Sequence, residues 1–183
     1  RIQTETDRLA RLVADLLDLS RIESEMPLAI ADTPASVIVE DAIERVSAFA
    51  EAKGTAISLE QPDRALVRAD AGAAATALAN LLDNAVRYAP AGTPVLLAVA
   101  STGRVVSFTV ADEGPGIPSE ELGRIFERFY RVDKARARAT GGTGLGLAIV
   151  KHVAERHGGR VEASSEFGRG SRFVLVLPAG GAA

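Results

Sequence analysis

Two asparagines one helical turn apart are the residues in this chain whose spacing most clearly allows chemistry. Asn80 and Asn84 stand in the segment LANLLDNAVRY, residues 78–88, and their i, i+4 separation places both amides on one face of a helix. An amide oxygen is an acceptable ligand for Mg2+, which keeps several waters and is usually held jointly by protein oxygens and phosphates. Paired asparagines are more often simply solvated, so a magnesium site here requires phosphate-binding elements elsewhere in the chain.

Two glycine-rich segments further along could supply such elements. In VADEGPGIP, residues 110–118, an apolar run ends at Asp112 and enters a tight turn, and this carboxylate could accept a hydrogen bond. In GGTGLG, residues 141–146, a glycine loop leads directly into the apolar helix LAIVKHVAERH. A helix that begins in this way presents backbone N–H groups and the positive end of its dipole to an anion.

Each of these segments has a simpler explanation when it is taken alone. A glycine-rich turn before a helix is more often a plain loop, and an aspartate before a Gly-Pro-Gly turn usually serves the turn itself. Their order is more informative, because the asparagine pair, the Asp-Gly turn and the glycine loop each lie where a strand-like run meets a helix-like run. Together they predict a nucleotide site.

The chain resembles the catalytic ATP-binding domain of sensor histidine kinases, which belongs to a larger group with the gyrase-type and heat-shock-chaperone ATPases. NLLDNAVRY is similar to the asparagine box of that family, DEGPGIP to the first glycine box, and GGTGLGLAIV to the second. RIFERFYRVD is similar to the phenylalanine box and GRGSRF to the terminal glycine-serine element. ETDRLARLVADLLDLSRIES resembles the second half of the dimerisation hairpin that precedes this domain. The resemblance covers nearly the whole chain.

The resemblance implies a role for individual residues around Mg2+ and ATP. Asn84 matches the Mg2+ ligand, and Arg87 and Arg131 match basic residues that contact the triphosphate. A guanidinium suits that contact because it stays charged and binds oxygens in pairs. Asp112 matches the residue that accepts from the exocyclic amine of adenine, and Ser171 matches a residue that joins this contact through water. Guanine has a carbonyl at that position and should be rejected.

Further positions follow from the same motifs. Tyr88 matches an aromatic residue that borders adenine, and a role as a half-buried core ring is equally consistent with its sequence. Phe126 and Phe129 lie one turn apart on a predicted short helix that begins at Ser119, where they are expected to anchor a lid over residues 131–142. The residues expected to contact nucleotide through the two glycine boxes are Gly114, Gly116, Ile117, Gly142, Thr143, Gly144, Leu145, Gly146 and Leu147.

Asn80 bears on the type of reaction. The gyrase-type ATPases have a glutamate at this position as the general base for water, whereas an amide cannot take up a proton. Sensor histidine kinases also have asparagine here, so the resemblance implies that ATP is bound without efficient hydrolysis and donates its γ-phosphoryl group to a histidine. Asn80, Asn84, Arg87 and Arg131 are the expected catalytic residues.

The acceptor histidine is not expected within this chain. His152 and His157 both follow the second glycine box, and neither lies in the H-E-[LF]-[RK]-T-P-like segment that carries the acceptor in this family. The expected acceptor lies upstream of Arg1, which suggests that the chain was cut from a longer protein. This piece should bind ATP and Mg2+ but should not autophosphorylate by itself.

The pattern of apolar residues predicts an α+β fold, and the resemblance implies the two-layer Bergerat type, in which helices cover one face of a mixed, mainly antiparallel sheet. Residues 1–26 carry a heptad-like leucine pattern and are expected to end the dimerisation hairpin, and residues 27–183 to form the catalytic domain. The first helix of that domain is predicted over residues 37–53. Strands are predicted at 55–60, 65–70, 94–101, 104–112, 160–165 and 171–178, with Asp70 capping the asparagine-box helix.

Composition limits the remaining possibilities. No run of about 18 apolar residues occurs, and the absence of cysteine excludes disulfides and thiolate metal sites. The net charge of -3 argues against nonspecific nucleic-acid binding, and no direct membrane contact is expected of this piece. The resemblance implies a cytoplasmic domain of a dimeric, bacterial inner-membrane sensor whose partner is a response-regulator receiver domain. A partner-sequestering serine kinase of the anti-sigma type and a nucleotide-gated ATPase are the alternatives.

Overall fold

A computed structural model of the chain describes residues 13, 27–60, 65–132 and 142–181. The predicted hairpin, apart from Val13, and most of the predicted lid therefore lie outside the described residues. The predicted division at residue 26 stays a prediction. The elements in chain order are β1 (Ala31–Pro34), α1 (Ala35–Lys53), β2 (Ile57–Glu60), β3 (Leu66–Ala69), α2 (Ala71–Tyr88), β4 (Val95–Ser101), β5 (Val105–Asp112), α3 (Gly146–Arg156), β6 (Arg160–Glu166) and β7 (Gly170–Pro178).

The main sheet has five strands in the order β2-β4-β5-β7-β6. β2 and β4 are parallel, and the other neighbouring pairs in this sheet are antiparallel. Apolar residues alternate along β5, so that Val106, Phe108 and Val110 are fully buried on the face that the helices cover. The predicted α+β fold with a mixed, mainly antiparallel sheet is confirmed.

A second, two-stranded sheet pairs β1 with β3. The end of the chain joins it to the main sheet, because Ala179 bridges to Val67 and the N–H of Gly180 donates to the carbonyl of Leu66 at 2.7 Å. The sequence predicted the strand that becomes β3 but not its pairing with β1. Among the described residues, no helix is long and apolar enough to cross a membrane.

Helix α2 is the central element of the helical layer. It packs between α1 and α3 and also against β5. Small and branched apolar residues recur at helical spacing along its buried face, namely Ala74, Ala75, Ala77, Leu78, Ala79, Leu81, Leu82, Ala85 and Val86. The alanines allow the neighbouring helices to approach closely, and the face turned away from the core is left with Asn80, Asp83, Asn84 and Arg87.

The N-terminus of α2 is held by Asp70 and His157. The Asp70 carboxylate accepts hydrogen bonds from the N–H of Ala73 and the N–H of Ala29, both at 3.0 Å, as the sequence predicted for the cap. The backbone N–H of Asp70 donates to Nε2 of the buried His157 at 3.0 Å, and Nδ1 of that ring lies 2.7 Å from the carbonyl of Val153. The ring is therefore neutral with its proton on Nδ1, and it links the end of α3 to the start of α2.

Residues 119–129 form consecutive turns instead of the predicted short helix. Phe129 has a φ of 61°, a left-handed conformation that an aromatic residue rarely adopts and that ends any helical continuation. Phe126 packs against the core, whereas the side chain of Phe129 is 60% exposed. The prediction that both rings anchor the lid is therefore wrong for Phe129.

Replacing Asp70 by alanine is expected to lower the free energy of unfolding by about 1–2 kcal/mol, because the N–H of Ala73 loses its acceptor. Asp70→Asn should retain most of the stability, since asparagine caps equally well. Glu155→Ala serves as the control, because it removes only an exposed ion pair with Lys151 and should cost no more than about 0.5 kcal/mol. Urea unfolding measures all three. An Asp70→Ala variant as stable as Glu155→Ala would contradict the capping role.

Candidate nucleotide-binding site

One cavity of about 610 Å3 brings the predicted site residues together. That volume is within the usual range for small-molecule sites. Every predicted site residue lines the cavity except Gly114 and Leu145. The lining residues are Arg45, Val46, Thr76, Ala79, Asn80, Asp83, Asn84, Arg87, Tyr88, Asp112, Pro115, Gly116, Ile117, Ile125, Tyr130, Arg131, Val132, Gly142, Thr143, Gly144, Gly146, Leu147, Phe167, Ser171 and Phe173.

The polar face of α2 forms one wall of the cavity. Asn80 Nδ2 donates to the carbonyl of Thr76 at 2.9 Å, which fixes the rotation of the amide. Its oxygen lies against the first residue of α3, since a Cβ added to Gly146 would come within 2.7 Å of Asn80 Oδ1. The asparagine is thus oriented by its own helix and faces the start of the next one. Asn84 lies one turn further along the same wall.

Asp112 ends β5 and lines the same cavity. Its Oδ1 accepts a hydrogen bond from the N–H of Gly114 at 2.8 Å, and Ser171 is its neighbour across the antiparallel pair of β5 and β7. Burial raises the pKa of Asp112 above its ordinary value, while the backbone N–H groups of Gly114 and Ser171 and the charge of Lys53 oppose that rise. The half-buried carboxylate is held in one orientation by two main-chain donors.

Contacts from the β6–β7 hairpin hold the turn that follows Asp112. Gly116 has a φ of 68°, and a Cβ there would lie 2.2 Å from the carbonyl oxygen of Glu166, so only glycine fits. The N–H of Ile117 donates to Ser165 Oγ at 2.8 Å, and Ser165 Oγ in turn donates to the carbonyl of Gly170 at 2.7 Å. Ser165 was missed in the sequence because its contact spans 48 residues of chain.

The second glycine segment enters α3 without a side-chain cap. Leu145 occupies the N-cap position and makes no capping hydrogen bond with its side chain, which is fully buried in the core. The first N–H groups of α3 have no acceptor four residues back in a helix, and they begin where Gly146 and Leu147 line the cavity. This arrangement suits an anionic group, while Leu145 can contact a ligand only through its backbone.

A hydrogen bond joins the two ends of the predicted lid. The N–H of Phe129 donates to the carbonyl of Gly144 at 2.8 Å. Gly144 has a φ of 76°, and a Cβ on it would come within 3.0 Å of the Phe129 backbone. Gly142 has more room, since the nearest atoms to a Cβ there are Tyr88 Oη and Arg131 Nη2, both at 3.8 Å. A side chain at Gly142 would therefore not clash with the described protein atoms.

The side chain of Arg87, which was predicted to contact the triphosphate, is largely buried and already paired within the protein. Its guanidinium pairs with Asp83 at 2.7 Å and lies 5.0 Å from the centroid of the Phe49 ring. The Arg87 side chain is only 7% exposed. Contact with a triphosphate would require phosphate oxygens to share this guanidinium with Asp83. Arg131 lies at the mouth of the cavity, near Gly142 and Tyr88.

Arg45 is a cavity residue that the sequence did not indicate. Its Nη1 donates to Thr76 Oγ1 at 2.8 Å, which links α1 to α2, and its Nε and Nη2 bind both carboxylate oxygens of Asp41 at 2.8 Å. Helical periodicity places Arg45 on the solvent side of α1, and only the packing of α1 against α2 brings it to the cavity. Phe167 was also missed in the sequence, because it lies in the β6–β7 turn and only the fold brings that turn to the cavity.

The donor set fits a magnesium ion that shares its coordination with a ligand. Among residues 27–60, 65–132 and 142–181, no group of three or more histidine, cysteine, aspartate or glutamate side chains could hold a metal by itself. Asn84 lines the cavity, and its side chain carries an amide oxygen of the kind that Mg2+ accepts. A Mg2+ ion here would take most of its ligands from phosphate and water, which agrees with its usual coordination in nucleotide sites.

Comparison with known proteins supports this description. Residues 69–181 match the family model described as histidine kinase-, DNA gyrase B- and HSP90-like ATPase. The chain is 43% identical over 175 residues to the sensor-like histidine kinase SenX3 of Mycolicibacterium smegmatis, covering 95% of this chain and 46% of that protein.

Two solved structures show the same fold at recognisable sequence identity. Full-length ShkA in complex with AMPPNP superposes with a TM-score of 0.75 at 35% identity, over 94% of this chain and 36% of that one. The mycobacterial sensor histidine kinase MprB superposes with a TM-score of 0.69 at 28% identity, over 82% of this chain and 98% of that one. The present chain spans less than half the length of SenX3 and ShkA.

The family model matches most of the chain, and the relatives are sensor histidine kinases. Residues of the asparagine helix and of the two glycine turns line one cavity, which agrees with that family. The chain belongs to the histidine kinase-, DNA gyrase B- and HSP90-like ATPase family, and within it to the catalytic ATP-binding domains of sensor histidine kinases.

Proposed function

We propose that this domain binds Mg-ATP and donates the γ-phosphoryl group to a histidine outside the chain, for relay to an aspartate of a response regulator. The observation that carries the proposal is the amide of Asn80, held beside the start of α3 where a hydrolysing ATPase needs a carboxylate. The fold similarity to a kinase structure described as a complex with AMPPNP, a non-hydrolysable ATP analogue, supports nucleotide binding in this cavity.

Different residues of the cavity would contact the base and the phosphates of ATP. Asp112 would accept from the exocyclic amine of adenine, with Ser171 beside it, and Tyr88 would border the ring. The backbone N–H groups of residues 142–147 would bind the phosphates at the start of α3. Arg131 and Arg87 would neutralise phosphate charge from the cavity wall.

Asn84 is the proposed protein ligand for Mg2+. When bound, the ion would neutralise phosphate charge and help to align the γ-phosphoryl group. In the transfer step, a histidine ring nitrogen would attack the γ-phosphorus in line while the bond to the β–γ bridging oxygen breaks and ADP leaves. Positioning and charge neutralisation dominate such transfers, and these are what the described side chains offer.

The larger assembly is also a proposal, because this chain spans less than half of its relatives. The parent would be a dimer through a helical hairpin that carries the acceptor histidine, and that hairpin would dock the response regulator. The domain would lie on the cytoplasmic side of a membrane-anchored sensor. No nucleic-acid contact is proposed.

The direct test mixes this chain with labelled ATP and a separate hairpin from a related kinase that contains the acceptor histidine. Acid-labile label on the hairpin is the expected result, while the chain alone should remain unlabelled. A hairpin whose histidine is replaced by glutamine is the control. Acid-stable label on serine would favour a serine kinase, and release of phosphate without labelling would favour an ATPase.

Asn84→Ala is expected to abolish the Mg2+-dependent part of ATP binding, because the proposed metal site loses the one ligand assigned to the protein. Calorimetry with Mg2+ and with EDTA separates this part from the rest. In EDTA, the variant and the unaltered chain should bind ATP equally weakly, which provides a control on folding. If the variant keeps its full affinity in Mg2+, Asn84 does not belong to the metal site.

Asp112→Asn is expected to weaken ATP binding about tenfold or more and to reduce the preference for ATP over GTP, because a charged acceptor is lost. Glu113→Gln, at the exposed neighbouring carboxylate, is the matched control and should bind normally. The ionised Asp112 is the stronger acceptor for the amine, because ionisation leaves both oxygens free to accept and makes the hydrogen bond charge-assisted. Since burial raises the pKa of Asp112, affinity should be complete above that raised pKa and fall as the pH drops through it. Equal ATP and GTP affinities in the unaltered chain would refute the assignment.

A further inference from the structure

Lys53 is the last residue of α1, and its ammonium group lies at the end of α2. Its Nζ donates to the carbonyl oxygens of Val86 at 2.5 Å, Arg87 at 2.8 Å and Ala89 at 2.6 Å. An ammonium has three N–H donors, so this set uses all of them. The last carbonyl oxygens of a helix receive no hydrogen bond from an N–H group of that helix, and they carry the negative end of its dipole. A cation is therefore favourable at this position.

The segment that Lys53 holds is part of the cavity wall. Tyr88 lines the cavity, and its carbonyl oxygen abuts the turn after β5, since a Cβ on Gly114 would lie 2.9 Å from that oxygen and 2.6 Å from Asp112 Oδ1. The end of α2 is therefore enclosed between Lys53 on one side and the Asp112 turn on the other. A shift of this end would move Tyr88 and the support of the Asp112 turn together.

The same ammonium also acts on Asp112 through its charge. Burial lowers the pKa of Lys53, the nearby Arg87 lowers it further, and Asp112 raises it. In return, the positive charge of Lys53 opposes the rise that burial imposes on the pKa of Asp112. The charged groups that bear on this pair are Arg87 from α2 and the Asp83 carboxylate that binds Arg87. Asp83 offsets part of the charge of Arg87, and Lys53 is the cation whose charge acts on Asp112.

We propose that Lys53 is a positioning residue for recognition of the nucleotide base: its ammonium holds the end of α2 against the Asp112 turn and thereby orients that carboxylate. The proposal rests on the proposed role of Asp112 in binding adenine. It assigns a binding function to a side chain that the cavity itself does not include.

A purely structural cap predicts a different result from a positioning residue. Loss of a cap alone would lower the stability of the fold and leave the affinity and its pH dependence unchanged. A positioning residue that acts through Asp112 must also move the pH at which affinity is lost. This shift in the pH profile must vanish when Asp112 is replaced by a residue that carries no charge.

The experiment measures ATP binding by calorimetry between acid and neutral pH in the unaltered chain and in Lys53→Gln, Lys53→Arg and Lys151→Met. Lys53→Gln keeps N–H donors for the helix end but removes the charge, whereas Lys53→Arg keeps the charge. Lys151→Met is the control, since Lys151 is an exposed lysine of α3 paired only weakly with Glu155 at 3.9 Å. The same ligand is used throughout, so its own titration cancels between variants.

Lys53→Gln is expected to weaken ATP binding about tenfold and to raise the pH at which affinity falls on acidification. In Lys53→Arg, affinity should fall at the same pH as in the unaltered chain. Lys151→Met should change neither the affinity nor this pH. In an Asp112→Asn background, Lys53→Gln should no longer shift the pH profile. A Lys53→Gln variant of reduced stability but unchanged affinity and pH profile would overturn the inference. Failure of the proposed function would appear separately, as an Asp112→Asn variant that binds like the unaltered chain.

Discussion

The apolar face of α2 packs between α1, α3 and the sheet, and this packing decides which of its polar residues meet in the cavity. Because the buried face is continuous from Ala74 to Val86, the helix can occupy only one rotation about its axis. That rotation turns Asn80 and Asn84 to the cavity. Asp70 and Lys53 then fix the two ends, one with a carboxylate at the N-terminus and the other with an ammonium at the C-terminus. The two signs match the dipole of the helix.

Local sequence patterns were sufficient for most of the fold and for the ligand-facing residues. Alternation of apolar residues predicted β4, β5 and β7. Asp70 was predicted as the cap of α2, and the predicted end of the first helix at residue 53 agrees with α1. Asp112 and Ser171 converge because they lie at strand ends, and Gly146 and Leu147 because they begin α3. Asn80 and Asn84 reach the same cavity from one face of α2.

Residues that act across the fold could not be predicted in the same way. Lys53, Arg45 and Ser165 each bind a group more than thirty residues away in the chain, and nothing in their neighbouring sequence marks them. The prediction for Phe129 was wrong although a local pattern was present. Its spacing from Phe126 suits a helix, but its backbone is left-handed and its N–H donates to the carbonyl of Gly144, and the spacing reveals neither feature.

The hydrogen bond from Phe129 to Gly144 has a consequence for how such domains can vary. It holds together the two ends of the segment between these residues. The relative position of Phe129 and Gly144 therefore does not depend on how many residues lie between them. Loop-closure entropy grows slowly with length, by about 0.6 kcal/mol for each doubling. Insertions and deletions in that segment can therefore accumulate in related proteins while Phe129 and Gly144 keep their relative positions.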